Sequence, residues 1–157
     1  MSVIVPPKGT RGVPFPRIIT RLLSSLGPRM FRRRPQKTSG GLPTLLLETR
    51  GTKSGKPRHA VLGFLEDGPS AWRVVASAVG ASRHPSWLYN LAKEPHATIE
   101  FFGGRRADVE AETLAGADLE AAWRRLETDA PEYPKYLSKT DREIPIIRLR
   151  ARRDATS

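Results

Sequence analysis

Six short segments, either apolar runs or alternations of apolar and polar residues, constrain the fold of this chain more than any other feature. Short apolar runs are typical of buried strands, and Ala107, Val109 and Ala111 alternate with charged residues at the period of two that a β-strand requires. The runs occupy residues 44–49, 59–66, 72–77, 96–102, 105–114 and 144–149. We therefore predict six strands.

The segments between the runs are turns or single helices. Asp67-Gly68-Pro69 and Gly103-Gly104 are turn sequences between neighbouring strands, whereas residues 85–93 and 119–130 have the characteristics of helices. Six strands with short turns and singly inserted helices favour a mainly β fold, a small antiparallel barrel with helices as lids. The 157 residues of the chain are the length of one domain.

The chain before the first strand has a different character. Residues 1–13 contain proline and glycine without periodicity, so we predict a disordered leader. From residue 15 the apolar side chains follow the helical spacing i, i+3, i+4, i+7, and Gly27-Pro28 is expected to end that helix. We accordingly divide the chain into an N-terminal arm, residues 1–37, and a barrel domain, residues 38–157.

The net charge of +11 is concentrated in the first third of the chain. Residues 1–58 hold 13 of the 27 Lys and Arg residues but one of the 16 acidic residues, Glu48. Five arginines accompany the apolar helical face, at positions 17, 21, 32, 33 and 34. This pattern predicts that residues 15–34 dock on an anionic membrane surface. Packing of the helix on the barrel and nucleic-acid binding by the arginines are the alternatives.

The residue types exclude several kinds of chemistry. The chain has no cysteine, which excludes disulfides and thiol catalysis, and its three histidines lack ligand spacing, so we predict no metal site. It has neither a G-x-G-x-x-G dinucleotide motif after a strand nor a G-x-S-x-G nucleophile elbow. With no signal sequence and no spanning segment, we expect a cytoplasmic protein, or one bound at the inner face of the plasma membrane.

The second concentration of charge is a loop directly after the first apolar run. In residues 50–58 (RGTKSGKPR) a base recurs at every second or third position. Glycines allow backbone N–H groups to turn towards one point and the cations add charge-assisted hydrogen bonds, so the loop is a candidate anion site. Its glycine spacing is not that of a P-loop, and an ordinary solvated basic turn is the alternative.

Four segments of the sequence, in this order and at this spacing, carry a resemblance. They are LLLETRGTKSGKPR, VVAS, GASRHPSWLYNLAKEPHATIE and YPKYLSKTDREIPIIRL, within residues 44–150. Together they resemble the deazaflavin-dependent nitroreductase and quinone reductase family. The resemblance implies a split β-barrel related to FMN-binding barrels. It also implies an oxidoreductase in which reduced 8-hydroxy-5-deazaflavin, coenzyme F-420, delivers hydride to a quinone, a nitro compound or another small organic acceptor.

The resemblance implies roles for individual residues. The tail of the cofactor, a phosphate with oligoglutamate, would be held by Arg50, Lys53, Ser54, Lys56 and Arg58. The residues bordering its ring would be Ser77, Gly80, Pro85, Trp87 and Asn90. The candidate catalytic residues are Tyr133, Tyr136 and Ser77. The tyrosine hydroxyls could polarise an acceptor oxygen, since charge develops there as hydride arrives.

Alternatives remain open at each level. Trp87 is equally interpretable as a core residue of its helix, and the two tyrosines as a seal beneath a lid. The same barrel could bind FMN instead of the deazaflavin, or carry a cofactor without turnover. A basic nucleic-acid module is a further alternative that the charge favours, although the clustered bases and few aromatic residues lead us to expect no nucleic-acid partner.

Two positions depart from the family pattern. Where many relatives read A-S-K-G-G, this chain has Ala78 and Val79 in place of the lysine and the first glycine, so we expect a stiffer loop with one cation fewer. Ala130 stands where an aromatic residue often precedes the proline of the substrate lid. The acceptor therefore cannot be inherited from any one relative.

Overall fold

The computed structural model describes residues 2–33 and 38–152, without the side chains of residues 17–21 and 23. The strands within this part of the chain are β1 (Thr38–Ser39), β2 (Leu42–Arg50), β3 (Pro57–Glu66), β4 (Ala71–Val75), β5 (His96–Phe101), β6 (Arg106–Thr113) and β7 (Ile146–Ala151). The helices are α1 (Arg17–Arg33), α2 (Ser86–Lys93), α3 (Gly116–Asp129) and α4 (Glu132–Tyr136), with a short 3-10 turn at Ala78–Gly80.

Six of the strands form a closed antiparallel barrel. Their hydrogen-bonded order is β2-β3-β4-β7-β6-β5, and β5 pairs again with β2. β2 closes the barrel because it pairs along both edges; Leu47, for example, lies opposite Ala60 of β3 and Ile99 of β5. The two residues of β1 extend the sheet beside β2. The predicted six-stranded split barrel is confirmed, with β1 in addition.

Alternation along the strands fills the barrel and covers it. Residues i and i+2 of a strand share a face, so Leu45 and Leu47 of β2 join Leu149 of β7 in the main buried cluster. Ile146 of β7 belongs to a second cluster, where it packs with Leu126 of α3. The helices α3 and α4 therefore cover part of the outer surface of the sheet.

The N-terminal segment is not the disordered leader that composition predicted. Residues 2–16 run as an extended strap across the barrel, and Val3 lies in the main core cluster. The strap is held by backbone hydrogen bonds: Gly9 donates to Ser82 (N–O 2.7 Å) and Val13 to Gly80 (2.9 Å). Its lack of apolar periodicity has a physical reason, because backbone hydrogen bonds fix an extended segment without regard to its side-chain pattern.

Helix α1 continues past the predicted stop at Gly27-Pro28 and ends at Arg33. Tertiary packing explains the difference. Gly27 is buried next to Val61 of β3, and Phe31, one turn beyond the proline, is buried as well. Burial on both sides of Pro28 offsets the backbone hydrogen bond that a proline cannot donate.

An ion pair also holds α1 to the sheet. The Arg32 guanidinium donates two hydrogen bonds to the buried carboxylate of Glu100 on β5 (Nε–Oε2 2.9 Å, NH2–Oε1 3.1 Å). The hydrogen bond from Arg32 keeps the pKa of Glu100 below its ordinary value. The helix therefore packs on the barrel, which was one of the alternatives for this segment. The division between arm and barrel domain at residue 37 falls outside the described residues and stays a prediction.

Candidate functional site

The basic loop is a tight connection between β2 and β3. Gly51 N–H donates to the Lys56 carbonyl (2.9 Å), and Gly55 N–H donates back to the Gly51 carbonyl (3.0 Å). Arg50 reaches across the loop to the carbonyl of Gly55 (3.3 Å), where φ is +69°. The side chains of Lys53 and its neighbours are thereby left exposed on a loop of fixed backbone.

An open cleft of about 690 Å³ lies against this loop. Of the five predicted tail contacts, Arg50, Lys53 and Ser54 line it. Lys56 and Arg58 are exposed near the same loop but do not line the cleft. The structure thus brings three of the five residues to one cavity and leaves two at its margin.

Three further basic residues line the same cleft, and the sequence motifs did not indicate them: Lys93, His96 and Arg152. Lys93 donates from Nζ to the carbonyl of Thr52 (2.7 Å), which ties the last turn of α2 to the basic loop. His96 begins β5, and Arg152 follows β7. Only the closure of the barrel brings these positions to the loop, so no local pattern could have indicated them.

The acidic residues of the cleft are engaged by neighbours. Glu48 contacts His59 (Oε1–Nε2 2.9 Å), and Glu94 contacts His96 (Oε1–Nδ1 3.3 Å). The Asp108 carboxylate accepts a hydrogen bond from Thr98 (3.2 Å). By contrast, no ion pair is found within the described residues for four cations of the cleft: Arg50, Lys53, Lys93 and Arg152.

Helix α2 connects the cleft to the core. Asn90 is buried and donates from Nδ2 to Oγ1 of Thr49 (3.0 Å), at the end of β2 from which the basic loop departs. Trp87 is 7% exposed and packs in the main core cluster, which matches the interpretation of Trp87 as a core residue. Pro85 caps the N-terminus of α2 and is half-buried.

The predicted ring contacts Ser77 and Gly80 lie in an irregular loop, residues 76–84, because β4 ends at Val75, two residues earlier than predicted. Both residues are buried. Ala78 (φ +42°) and Val79 (φ +49°) have left-handed backbone, which is strained for residues other than glycine and most so for a β-branched one. The 76–84 loop is therefore held against its own conformational preference.

His84, at the end of this loop, contacts both the strap and the segment that leads into β7. Its Nε2 lies 2.8 Å from the carbonyl of Pro6, and its Nδ1 lies 3.1 Å from NH1 of Arg142. Since Arg142 can only donate, Nδ1 accepts and the proton of the neutral ring sits on Nε2. Burial lowers the pKa of His84 below 6.5, and the charge of Arg142 acts in the same direction, against the carbonyls of Pro6 and Pro7.

The two candidate catalytic tyrosines differ in burial and in hydrogen bonding. Tyr133 is 5% exposed, and its hydroxyl points to the carbonyl and the hydroxyl of Ser39 (both 3.3 Å). Burial raises the pKa of Tyr133 above its ordinary value. Tyr136 packs edge-on against Tyr133, with ring centroids 5.8 Å apart, and is half-buried. Tyr136 is near the 76–84 loop, since its carbonyl lies close to Gly80.

The predicted site residues thus form two groups. One consists of the basic loop with Asn90 at its base, along the cleft. The other consists of the 76–84 loop with Tyr136 beside it and Tyr133 behind. Helix α2 follows the 76–84 loop in the chain, and its buried residue Asn90 contacts Thr49 of β2, from which the basic loop departs. The two groups are therefore connected through the barrel core.

Comparison with known proteins identifies the family. Residues 20–150 match the family model described as F420H(2)-dependent quinone reductase. The chain belongs to this family. An F420H(2)-dependent quinone reductase of Mycobacterium tuberculosis H37Rv is 37% identical over 116 residues, which are 72% of this chain and 76% of the relative.

Solved structures agree with the family assignment. A structure described as an F420-H2 dependent reductase is 33% identical, covers 68% of this chain and 92% of its own, and superposes with a TM-score of 0.59. A protein of the pyridoxinephosphate oxidase family from Clostridium acetobutylicum, at 18% identity and a TM-score of 0.52, shares the fold alone. As a member of the F420H(2)-dependent quinone reductase family, the chain is an oxidoreductase that uses coenzyme F-420, and the FMN-binding and nucleic-acid alternatives are not favoured.

The burial of His84 beside Arg142, which lowers its pKa, predicts a pH dependence of stability. The folded protein disfavours the His84 cation, so the unfolded chain binds more protons as the pH falls below 6.5. We expect the wild-type melting temperature to fall between about pH 7.5 and about pH 5.5, and to fall less for His84→Gln. Thermal unfolding followed by circular dichroism measures both slopes. Parallel slopes for the two proteins would contradict the contacts described for His84.

Proposed function

We propose that this deazaflavin-dependent reductase holds the anionic tail of coenzyme F-420 along the cleft and its ring beside the 76–84 loop, for delivery of hydride to a quinone. The observation that supports this most directly is the set of cleft cations that lack carboxylate partners within the described residues. Clustered positive charges repel one another, so binding of an anion among them is favoured. A phosphate followed by several carboxylates is an anion with several charges.

The residues present fit such a group. Arg50, Lys53 and Lys93 line one cavity, and three cations suit a polyanion better than a single phosphate. Lys56 and Arg58 remain proposed tail contacts at the margin of the cleft. FMN carries one phosphate and would leave most of this positive charge without an anionic partner.

The cofactor, when bound, would supply a hydride, that is, a hydrogen with its bonding electron pair, and the protein supplies binding, orientation and exclusion of water. Ser77 and Gly80 are proposed to border the ring on the 76–84 loop, and Pro85 to flank it. Asn90 and Trp87 support the wall from within the core. The stiff backbone of the loop would hold the ring in one orientation relative to an acceptor, which is the main contribution that positioning can make.

A quinone oxygen gains negative charge as hydride arrives at the acceptor, so a hydroxyl donor near it lowers the barrier. Tyr136 is the better placed of the two tyrosines for this role, since the hydroxyl of Tyr133 already contacts Ser39. Tyr133 is proposed to orient Tyr136 through the edge-on ring contact. Nitro compounds present a comparable pair of oxygens and are the second acceptor class to assay.

The first prediction concerns the cations. The triple variant K53A/K56A/R58A should bind coenzyme F-420 at least about tenfold more weakly than wild type, with a flatter salt dependence. Fluorescence titration at low and high salt measures both quantities. Two matched double variants compare the cleft, K53A/K93A, with its margin, K56A/R58A. We expect the cleft variant to lose more affinity for coenzyme F-420. Binding of FMN as tight as that of the deazaflavin, unaffected by salt in either case, would overturn the proposal.

The second prediction concerns the tyrosines. Changing Tyr136 to Phe should lower kcat by about tenfold with little change in deazaflavin affinity, because the hydroxyl acts on the developing charge. Tyr133→Phe should have a smaller effect on kcat and lower the melting temperature, since it loses the contact to Ser39. Steady-state assays with a soluble quinone measure kcat for both variants, and deazaflavin titration measures their cofactor affinity. Equal losses of cofactor affinity and kcat in Tyr136→Phe would favour a lid-sealing role instead.

We further propose that α1 rests on an anionic membrane surface, at the inner face of the plasma membrane, while its other face packs on the barrel. Leu22, Leu26 and Met30 are exposed and spaced four residues apart, so they lie on one side of the helix. Arg29 and Arg33 are exposed as well. Within the described residues, no helix is long and apolar enough to cross a bilayer.

The membrane proposal is tested with point variants, because the strap before α1 is packed in the core and a truncation would disturb the barrel. R29A/R33A should weaken co-sedimentation with anionic vesicles by about tenfold and leave the weak binding to neutral vesicles unchanged. L22S/L26S should weaken both. Arg32→Ala is the unsuitable control, since it breaks the ion pair with Glu100; Arg124→Ala on α3 serves instead. Equal binding by all variants removes the proposal, and nucleic acid that displaces vesicles would favour the nucleic-acid alternative.

A further inference from the structure

Arg142 is a buried arginine, 5% exposed, in the segment between α4 and β7. Its hydrogen bonds go to the 76–84 loop: Nε donates to the carbonyl of Ala81 (2.7 Å), NH2 to the carbonyl of Ser77 (2.6 Å) and NH1 to the carbonyl of Ala76 (3.1 Å). NH1 also reaches Nδ1 of His84. One guanidinium therefore contacts the loop at four points.

These contacts bracket the strained residues. Two acceptors, Ala76 and Ser77, precede Ala78 and Val79, and the third, Ala81, follows them. Left-handed backbone brings the Cβ of a residue other than glycine too close to the following carbonyl oxygen, so this turn needs support from outside. A charge-assisted hydrogen bond is stronger than a neutral one, and three of them from one rigid fork fix both ends of the strained turn.

Arg142 has no carboxylate partner in the described part of the chain, which is unusual for a buried cation. An arginine that served only as a structural ion pair would face an acid, as Arg148 of β7 faces Asp67 and Glu112. Arg142 faces carbonyls of one loop instead. Arg142 therefore fixes the backbone of the loop instead of forming a salt bridge.

The two residues before Arg142 form hydrogen bonds with the strap. The Asp141 carboxylate accepts hydrogen bonds from the backbone N–H of Thr10 (2.8 Å) and of Arg11 (2.9 Å), and the Thr140 hydroxyl donates to the carbonyl of Arg11 (2.7 Å). The Thr10 side chain and these amides lower the pKa of Asp141 to about 2. Asp141 is therefore ionised, and the contact intact, at any physiological pH.

The strap in turn lies directly on the 76–84 loop. Val13 donates to the carbonyl of Gly80 and Gly9 to that of Ser82. A Cβ added to Gly12 would stand 2.2 Å from the backbone nitrogen of Ser82, so the two backbones are in close contact. The loop is thus held by hydrogen bonds from both Arg142 and the strap.

We propose that Arg142 is a positioning residue of the reductase reaction. Together with Thr140 and Asp141, it holds the 76–84 loop in its strained conformation. Ser77 and Gly80 are thereby fixed in position to border the deazaflavin ring. Arg142 touches neither ring nor acceptor in this role and acts through the loop backbone. The proposal rests on the proposed function, since it requires Ser77 and Gly80 to border the cofactor. It adds a residue outside the cleft and a role for the strap.

The test compares wild type with Arg142→Lys, which keeps the charge but cannot bracket the loop with a planar fork. Hydrogen exchange on the cofactor-free protein should show amides of residues 78–84 exchanging about tenfold faster or more, with barrel strands unchanged. At a temperature well below unfolding, deazaflavin should bind about tenfold more weakly, and kcat should fall more than KM for the quinone rises. The matched control, Arg148→Lys, disturbs a half-buried, ion-paired arginine of β7 and should lower the melting temperature without changing deazaflavin affinity.

A second variant covers the case in which Arg142→Lys does not fold. Asp141→Ala removes an exposed carboxylate from the strap side and leaves the core intact, and it should shift exchange, deazaflavin affinity and kcat in the same direction by a smaller factor. Wild-type exchange, affinity and kcat in both variants would overturn the positioning role while the proposed function stands. Faster exchange with unchanged affinity and kcat would also overturn it. Failure of wild type itself to bind coenzyme F-420 would overturn the proposed function, and the positioning role with it.

Discussion

The pairing of β2 along both of its edges is the constraint on which the rest of the molecule depends. Closure of the barrel removes the open edges that six short strands would otherwise leave. It also places the end of β2, where the basic loop departs, beside the start of β5 and the residue after β7. The cleft is a consequence of that closure, because its cations come from three places in the sequence, the basic loop, the end of α2 and the residue after β7, that only the closed sheet brings together.

Much of the barrel could be predicted from the sequence, because alternating or continuous apolar runs report directly on strands with one or two buried faces. Strand ends were less accurate: β4 ends before Ser77, whose placement in a loop follows from contacts with Arg142 rather than from its own propensity. The helix stop at Gly27-Pro28 was wrong because the burial of Phe31 outweighs a local signal. The strap was missed because many of its hydrogen bonds are made by backbone atoms, and because the side chains that do pack, such as Val3, follow no periodic pattern.

The candidate site divides in the same way. The basic loop is contiguous in sequence, so its charge and its glycines were enough to indicate an anion site. Lys93, His96 and Arg152 could not be found by local pattern, since each lies in or beside a different element. The structure also shows that the two tyrosines of this five-residue helix differ in burial. Ser39 and Gly63 pack over Tyr133, whereas part of Tyr136 is exposed to solvent. The sequence could not predict this difference, because it depends on which residues of other elements cover each position.

Backbone strain at Ala78 and Val79 has a physical consequence for the part of the site that is proposed to hold the ring. A glycine at position 79 would adopt φ +49° without strain, whereas valine does so against steric repulsion. The loop geometry is then no longer encoded locally; it depends on hydrogen bonds from a residue more than 60 positions later, Arg142, and on a strap from the N-terminus. A loop held by hydrogen bonds from two distant segments has few alternative conformations, which favours a fixed cofactor orientation over adaptability to many acceptors. Because Ala78 and Val79 introduce strain, the loop requires these distant hydrogen bonds.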